Sequence, residues 1–402
     1  MPKAGRQPPR DADAEEELAP LGTIDEDELH DEAEDLQVSG IGALLHDRRK
    51  LATAGLLFVA GIAGIYLVIP KLVGIDESLS RVHEATWYWI AIAVVFNIVA
   101  FAAYVALFRG ILGGSQVDDI RRRLDLKASY QITMAGLAAT RIFSAGGAGG
   151  IVLTYWALRK AGMPRRRSAC RMVAFLVLTY VPYLMALVVF GVLLRTGVLP
   201  GDDPVGGTIV PAAVAAVAMG LLGLVALIPG DFERRLRDFS RGYRRTRWAT
   251  RVARGPATLA TGVRTAIDYL GHPRRGALAV AGAVGFWAAN IGVLWASFEA
   301  FGGDVPVGVL IQGFFVGMAA NLVPSPAGGV GSVDAGMIGA FVLFGIPSGI
   351  VFPAVLTYRV IAFWLPIPPG LVAYFQLRRT VAHWEEERGV YTSKSKVTAE
   401  AT

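Results

Sequence analysis

A chain of 402 residues that is 53% hydrophobic and 18% charged, with a mean hydropathy of +0.47, is not an ordinary soluble domain, which carries about 25% charge. The formal charge of +6 is a cancellation: 13 of the 33 acidic residues lie between Asp11 and Asp35, a stretch without Lys or Arg. The single cysteine, Cys170, excludes an internal disulfide framework and any multi-cysteine metal site.

The chain opens with residues 1–46, which read as an acidic, disordered cytoplasmic tail. They lack the basic start and apolar core of a secretory signal peptide. A bilayer core of roughly 30 Å needs about 20 apolar residues in a helix. Six stretches meet that length, at residues 51–69, 87–108, 169–194, 209–228, 277–298 and 350–375, and none carries more than one charge. With the amino terminus inside, 28 Lys and Arg fall in cytoplasmic loops and only Lys71, Arg81 and Arg195 in the opposite ones. The positive-inside rule therefore predicts that both termini are cytoplasmic.

Two further apolar stretches begin and end on one side. Residues 128–158 hold Ser144-Ala-Gly-Gly-Ala-Gly-Gly150 at their centre. Fully helical, they extend about 46 Å, short of the roughly 60 Å that two crossings need. Residues 305–348 hold Pro324-Ser-Pro-Ala-Gly-Gly-Val-Gly-Ser332. Both are expected to be re-entrant hairpins, because irregular backbone at membrane depth must be buried in protein or line a watery cavity. Close packing of glycine-bearing helices is the plainer alternative. Between the hairpins, the cytoplasmic loop 230–276 interleaves twelve arginines with apolar residues. It reads as an interfacial helix on anionic lipid or as a loop whose charges set topology. Residues 47–379 form the expected transmembrane domain, and 380–402 a cytoplasmic tail.

The hairpins resemble each other. Each is followed by a Gly-apolar-Pro turn, Gly162-Met-Pro164 and Gly345-Ile-Pro347, and then by Val177-Leu-Thr-Tyr180 and Val355-Leu-Thr-Tyr358. Asn97-Ile98 and Asn290-Ile291 precede them. The shared order predicts an inverted-topology repeat, with a site between interrupted helices. The expected fold is thus an all-α polytopic membrane protein, with about six transmembrane helices and two oppositely oriented hairpins.

The run Pro324-Ser-Pro-Ala-Gly-Gly-Val-Gly-Ser-Val-Asp-Ala-Gly336, the Gly345-Ile-Pro347 turn and Leu356-Thr-Tyr-Arg-Val-Ile-Ala-Phe-Trp-Leu-Pro366 resemble the lysylphosphatidylglycerol synthase transmembrane, or flippase-like, family. The resemblance covers roughly residues 51–379. It implies a prokaryotic protein that moves a polar-headed lipid between leaflets. The chain departs from the pattern with Asp334 in place of the usual Glu, and with Arg141 before the first glycine run in place of an acidic residue after it. The aminoacyl-transfer domain of bifunctional members is not expected, since only 23 residues follow Arg379.

Ionisable residues at membrane depth mark function by default. Arg141, Asp334 and Arg359 are the candidates, because a guanidinium binds phosphate bidentately and Asp334 can neutralise one arginine between substrates. An Asp334–Arg359 pair that only fixes the second hairpin is the competing reading. Gly147, Gly149, Gly329 and Gly331 offer backbone N–H groups for an anion nest. Asn97, Asn290 and Asn321 can line the same cavity or make interhelical hydrogen bonds worth about 0.6 kcal/mol.

No catalytic residue, metal ligand or cofactor is expected. The five histidines lie in loops or the tail, and neither a zinc-protease spacing nor a Walker loop is present. The chain therefore reads as a non-enzymatic plasma-membrane flippase or transporter for a phosphate-bearing lipid, a phospholipid or a polyprenyl-phosphate-linked glycan. Two other classes stay open: a scaffold that recruits a separate lipid- or glycan-modifying enzyme, and a carrier for a soluble anion. Membrane lipids are the expected partners, nucleic acid is not, and a homo-oligomer is compatible with the sequence.

Overall fold

The computed structural model describes residues 86–112, 118–142, 148–228, 246–322 and 329–400. The first apolar stretch at 51–69, the acidic tail and the centres of both glycine runs lie outside the described residues. Twelve α-helices follow in order among those described: α1 Trp87–Leu112, α2 Asp118–Arg123, α3 Leu126–Ile142, α4 Ala148–Lys160, α5 Arg165–Arg195, α6 Ile209–Leu227, α7 Thr246–Gly271, α8 Pro273–Ala300, α9 Val307–Ala319, α10 Ser332–Leu343, α11 Ser348–Arg359 and α12 Ile367–Glu400. A 3-10 turn, Ala320–Leu322, ends α9, and a π-turn, Val360–Trp364, joins α11 to α12.

Among the described residues, five segments are long and apolar enough to cross a membrane: Trp87–Leu112, Arg165–Arg195, Ile209–Leu227, Gly276–Ala300 and Ser348–Glu387. The exposed side chains agree. In α6 only Ala212 and Ala215 are buried, whereas Val214, Val217, Leu221 and Leu224 are exposed. A continuous apolar helix left bare in this way is stable against hydrocarbon and not against water. The protein is a polytopic helical membrane protein.

Helices α1 and α8 form an antiparallel seam. At one end Trp89 packs edge-on against Trp295 at 5.1 Å, and the Thr86 N–H donates to Ala300 O at 3.1 Å. Near the other end a Cβ on Gly110 would stand 2.6 Å from the Ala279 N, and one on Gly282 would strike the Leu107 backbone. In lipid no water-driven force presses helices together, so small residues that admit close backbones supply the packing.

The two glycine-rich stretches each fold as a pair of short packed helices. A Cβ on Gly150 of α4 would collide with Gly136 of α3, and one on Gly317 of α9 would stand 2.6 Å from the Met337 Cα of α10. The pairs also end alike. The Gly162 N–H donates to Arg159 O and the Met163 N–H to Leu158 O, at 2.9 and 3.1 Å; the Gly345 N–H donates to Val342 O and the Ile346 N–H to Phe341 O, both at 3.0 Å. Each is a Schellman ending that requires positive φ, 96° at Gly162 and 78° at Gly345. Pro164 and Pro347 then start α5 and α11.

The Arg-rich loop contributes α7. Its second half packs on α5, where a Cβ on Gly262 would lie 2.9 Å from Cys170 O. Arg264 Nε donates to Ala226 O at 2.8 Å, satisfying a carbonyl at the end of α6. Around Trp287, Phe298, Phe314, Phe315, Phe341 and Tyr358, side chains from α8 to α11 build the buried core.

Candidate functional site

The site begins with a defect in a helix. At Val360–Trp364 the chain widens to a π-turn, and the Leu365 N–H reaches back to Val360 O at 2.9 Å. Pro366 follows and has no N–H to offer Ile361 or Ala362. The carbonyls of this turn therefore need donors from elsewhere, since backbone groups at membrane depth have no water to bond and must find partners within the protein.

Three side-chain donors meet that need. Arg141, at the end of α3, forks across the turn, donating through Nη1 to Phe363 O at 2.7 Å and through Nη2 to Ala362 O at 2.8 Å. Asn97 of α1, 4% exposed, donates from Nδ2 to Ile361 O at 2.9 Å. The Arg141 guanidinium also lies over two rings, 5.1 Å from the Phe363 centroid and 5.9 Å from that of Phe101. Asn97 sits ten residues into α1, about 15 Å along a helix that rises about 1.5 Å per residue. The turn therefore lies near the middle of the α1 span.

The α9–α10 pair reaches the same turn through an ion pair. Arg359 Nε lies 2.6 Å from Asp334 Oδ1, with both side chains largely buried. Arg359 Nη2 donates to Gly329 O at 3.1 Å. The other Asp334 oxygen, Oδ2, accepts the Gly331 N–H at 2.8 Å. Asp334 is the third residue of α10, so this bond caps the helix while the carboxylate favours the positive end of its dipole. Gly331 can present that N–H because its φ is +84°. The Arg359 guanidinium stands 4.4 Å from the Phe363 centroid. One phenyl ring thus contacts both guanidiniums.

The remaining candidates occupy different places. Asn290 donates to Phe286 O in its own helix at 2.8 Å. Its neighbour Trp287 makes the longer reach, from Nε1 to Thr179 O at 2.6 Å, three residues before Pro182 in α5. Asn321 is exposed in the middle of the 3-10 turn; a Cβ on Gly329, whose φ is +93°, would stand 2.7 Å from its Oδ1. Gly149 is half-buried in the first turn of α4. Gly147 lies outside the described residues. No cluster of three or more His, Cys, Asp or Glu able to hold a metal occurs among the described residues.

Phe101, Phe363, Trp287 and the π-turn carbonyls escaped the sequence reading. The signal for the turn was present in Pro366-Ile-Pro-Pro369, which strips successive helical donors just after Arg359.

The sequence model described as the lysylphosphatidylglycerol synthase TM region matches residues 52–370. The chain belongs to that family. A curated relative, a UPF0104 membrane protein of Methanothermobacter thermautotrophicus, is 30% identical over 79 residues, 20% of this chain and 24% of the relative. The match thus spans about a quarter of the relative's length. No solved structure matches the chain. The lysylphosphatidylglycerol synthase TM region takes in Asn97, Arg141, Asp334, Arg359 and the whole π-turn, and its match stops at Gly370, four residues into α12.

Proposed function

We propose that this chain moves a phosphate-bearing lipid between membrane leaflets, with the headgroup passing the π-turn and the acyl chains remaining in lipid. The observation that carries the proposal is the state of Arg141. Its guanidinium lies at mid-span depth, and among the described residues no carboxylate pairs with it; neutral carbonyls and two aromatic faces hold it. A phosphate brings a full negative charge and paired oxygens that fit the guanidinium fork, neither of which the neutral carbonyls supply. It can therefore displace them without first breaking an ion pair. Arg359 is already neutralised by Asp334, so in this mechanism the pair holds the second hairpin while Arg141 receives the headgroup.

In this reading the two short-helix pairs are re-entrant hairpins of an inverted repeat. Their matching Gly-x-Pro turns support it, as do crossed ties between the halves. Asn97 of the first half caps the broken helix of the second, and Trp287 of the second half bonds α5 next to its own proline. The basic end of the bundle is taken as cytoplasmic, in the plasma membrane of a prokaryote. No covalent step is assigned to the chain.

Reconstitution into liposomes with fluorescent phospholipid, or with a polyprenyl-phosphate-linked sugar, tests the reading. Movement between leaflets is expected to exceed that of protein-free vesicles and to fall at least tenfold in Arg141→Ala. Rates equal to those of empty vesicles for both lipid classes overturn it. In that event a partner enzyme captured through the Arg-rich loop supports a scaffold, and flux of inorganic phosphate supports a soluble-anion carrier.

A further inference from the structure

Some 20 Å from the π-turn, along α3 and α12, lies a concavity. Helices α3 and α12 run side by side from Arg141 and Phe363 toward Lys127 and Arg379, held by a Thr380 Oγ1 to Gln131 Oε1 hydrogen bond of 2.9 Å and by Gly370, whose Cβ would meet Met134 O at 2.8 Å. Fourteen residues of α3 separate Arg141 from Lys127, about 21 Å of helix. Beyond Lys127 the pair opens into a groove of about 1370 Å³ between α2, the α4–α5 turn and α12.

The groove is lined by Arg122, Arg123, Lys127 and Arg379, with His383 and Trp384 at its α12 wall. The two acids beside them are already engaged. Asp125 Oδ1 accepts the Ala128 N–H at 2.7 Å, capping α3, and Glu387 lies 3.4 Å from His383 Nε2 on its own helix. Arg123 is half-buried and donates to Ala161 O at 3.4 Å; Gly162 leaves it room, since a Cβ there would stand 3.5 Å from Nη1. Arg122, Lys127 and Arg379 have no acidic partner among the described residues. Nearby Lys160, by contrast, pairs with Glu385 at 3.0 Å. Four cations thus converge on one concave surface that carries two carboxylates, leaving an excess of positive charge.

We infer that this groove is a second anion site, built to take a phosphate group. Arginine forks match phosphate oxygens bidentately, and a concave wall focuses their field. The phosphate belongs either to an anionic lipid headgroup entering from the membrane edge or to a soluble phosphate compound. The inference stands on the groove alone and does not depend on lipid movement through the π-turn.

The test uses the full chain in nanodiscs of phosphatidylcholine with and without 10% phosphatidic acid. Native mass spectrometry counts retained lipid, and calorimetry follows titration with inorganic pyrophosphate. Arg122→Gln/Arg379→Gln is expected to weaken binding at least fivefold, and the single variant Lys127→Gln about twofold to threefold. Arg195→Gln, whose partner is Asp203 at the opposite end, is expected to change neither readout. Retention of phosphatidic acid without pyrophosphate binding identifies the lipid as the source; pyrophosphate binding in neutral discs identifies a soluble one. The altered side chains are exposed, and an unchanged melting temperature in neutral discs checks the fold. The single variants Arg122→Gln, Arg379→Gln and Lys127→Gln carry the test if the double variant melts early. Failure of both probes to bind, or binding indifferent to every groove variant, overturns the inference.

Discussion

The ends of α3 and α11 bring arginine to the same phenyl ring under opposite electrostatic conditions. Arg359 arrives paired: one carboxylate oxygen of Asp334 faces it, and the other is fixed by the Gly331 amide. Among the described residues, Arg141 is met by carbonyl dipoles and ring faces alone. A buried pair is weak evidence of net stability, but removing one partner strands the other charge and is severe. A charge held by neutral groups is more easily bid for by an incoming anion. The difference separates a residue that holds the site together from one that is free to exchange partners.

The largest expected effect tests the paired side. Asp334→Ala leaves Arg359 buried without its carboxylate and is expected to destabilise the protein by about 3–5 kcal/mol, read as a fall in melting temperature in detergent or nanodiscs. Arg141→Ala is expected to be milder for folding, about 1–3 kcal/mol from unpaired carbonyls, and harsher for lipid movement. If it destabilises as much as Asp334→Ala and Arg141→Lys restores nothing, the contrast between the two arginines fails. Gly331→Ala, forced to positive φ, is expected to lose about 1–2 kcal/mol; denaturation curves that match wild type would disconnect the Gly331–Asp334 cap from the stability of the pair. The smallest effect belongs to Asn97→Val, about 0.6 kcal/mol for one interhelical hydrogen bond. Hydrogen exchange would sharpen that prediction by reporting faster opening at the π-turn than in α8.

Much of the frame was legible because membrane insertion writes strong patterns. Charge-poor runs long enough to cross foretold α1, α5, α6, α8 and the α11–α12 segment, and the glycine runs foretold two pairs of short helices. The Asp334–Arg359 contact was named beforehand because buried charges seek partners. The fork of Arg141 onto backbone carbonyls was not legible in the same way. It depends on α3 meeting a π-turn more than 200 residues away, and only the prolines after Trp364 hinted that carbonyls there would lack donors. Asn97 and Asn290 looked equivalent in sequence, yet one crosses to another helix and the other bonds its own. Residue type states that a donor exists, whereas packing decides who receives it.

The antiparallel seam of α1 and α8 has a mechanical consequence. Where backbones touch through Gly110 and Gly282, and the Phe96 ring seats on Gly292, the register is interlocked, and sliding one helix along the other would drive side chains into main chain. Axial slip is closed to this pair. Relative motion of α1 and α8 is left with rotation about their line of contact, and the π-turn, tied to α1 through Asn97, would turn with it.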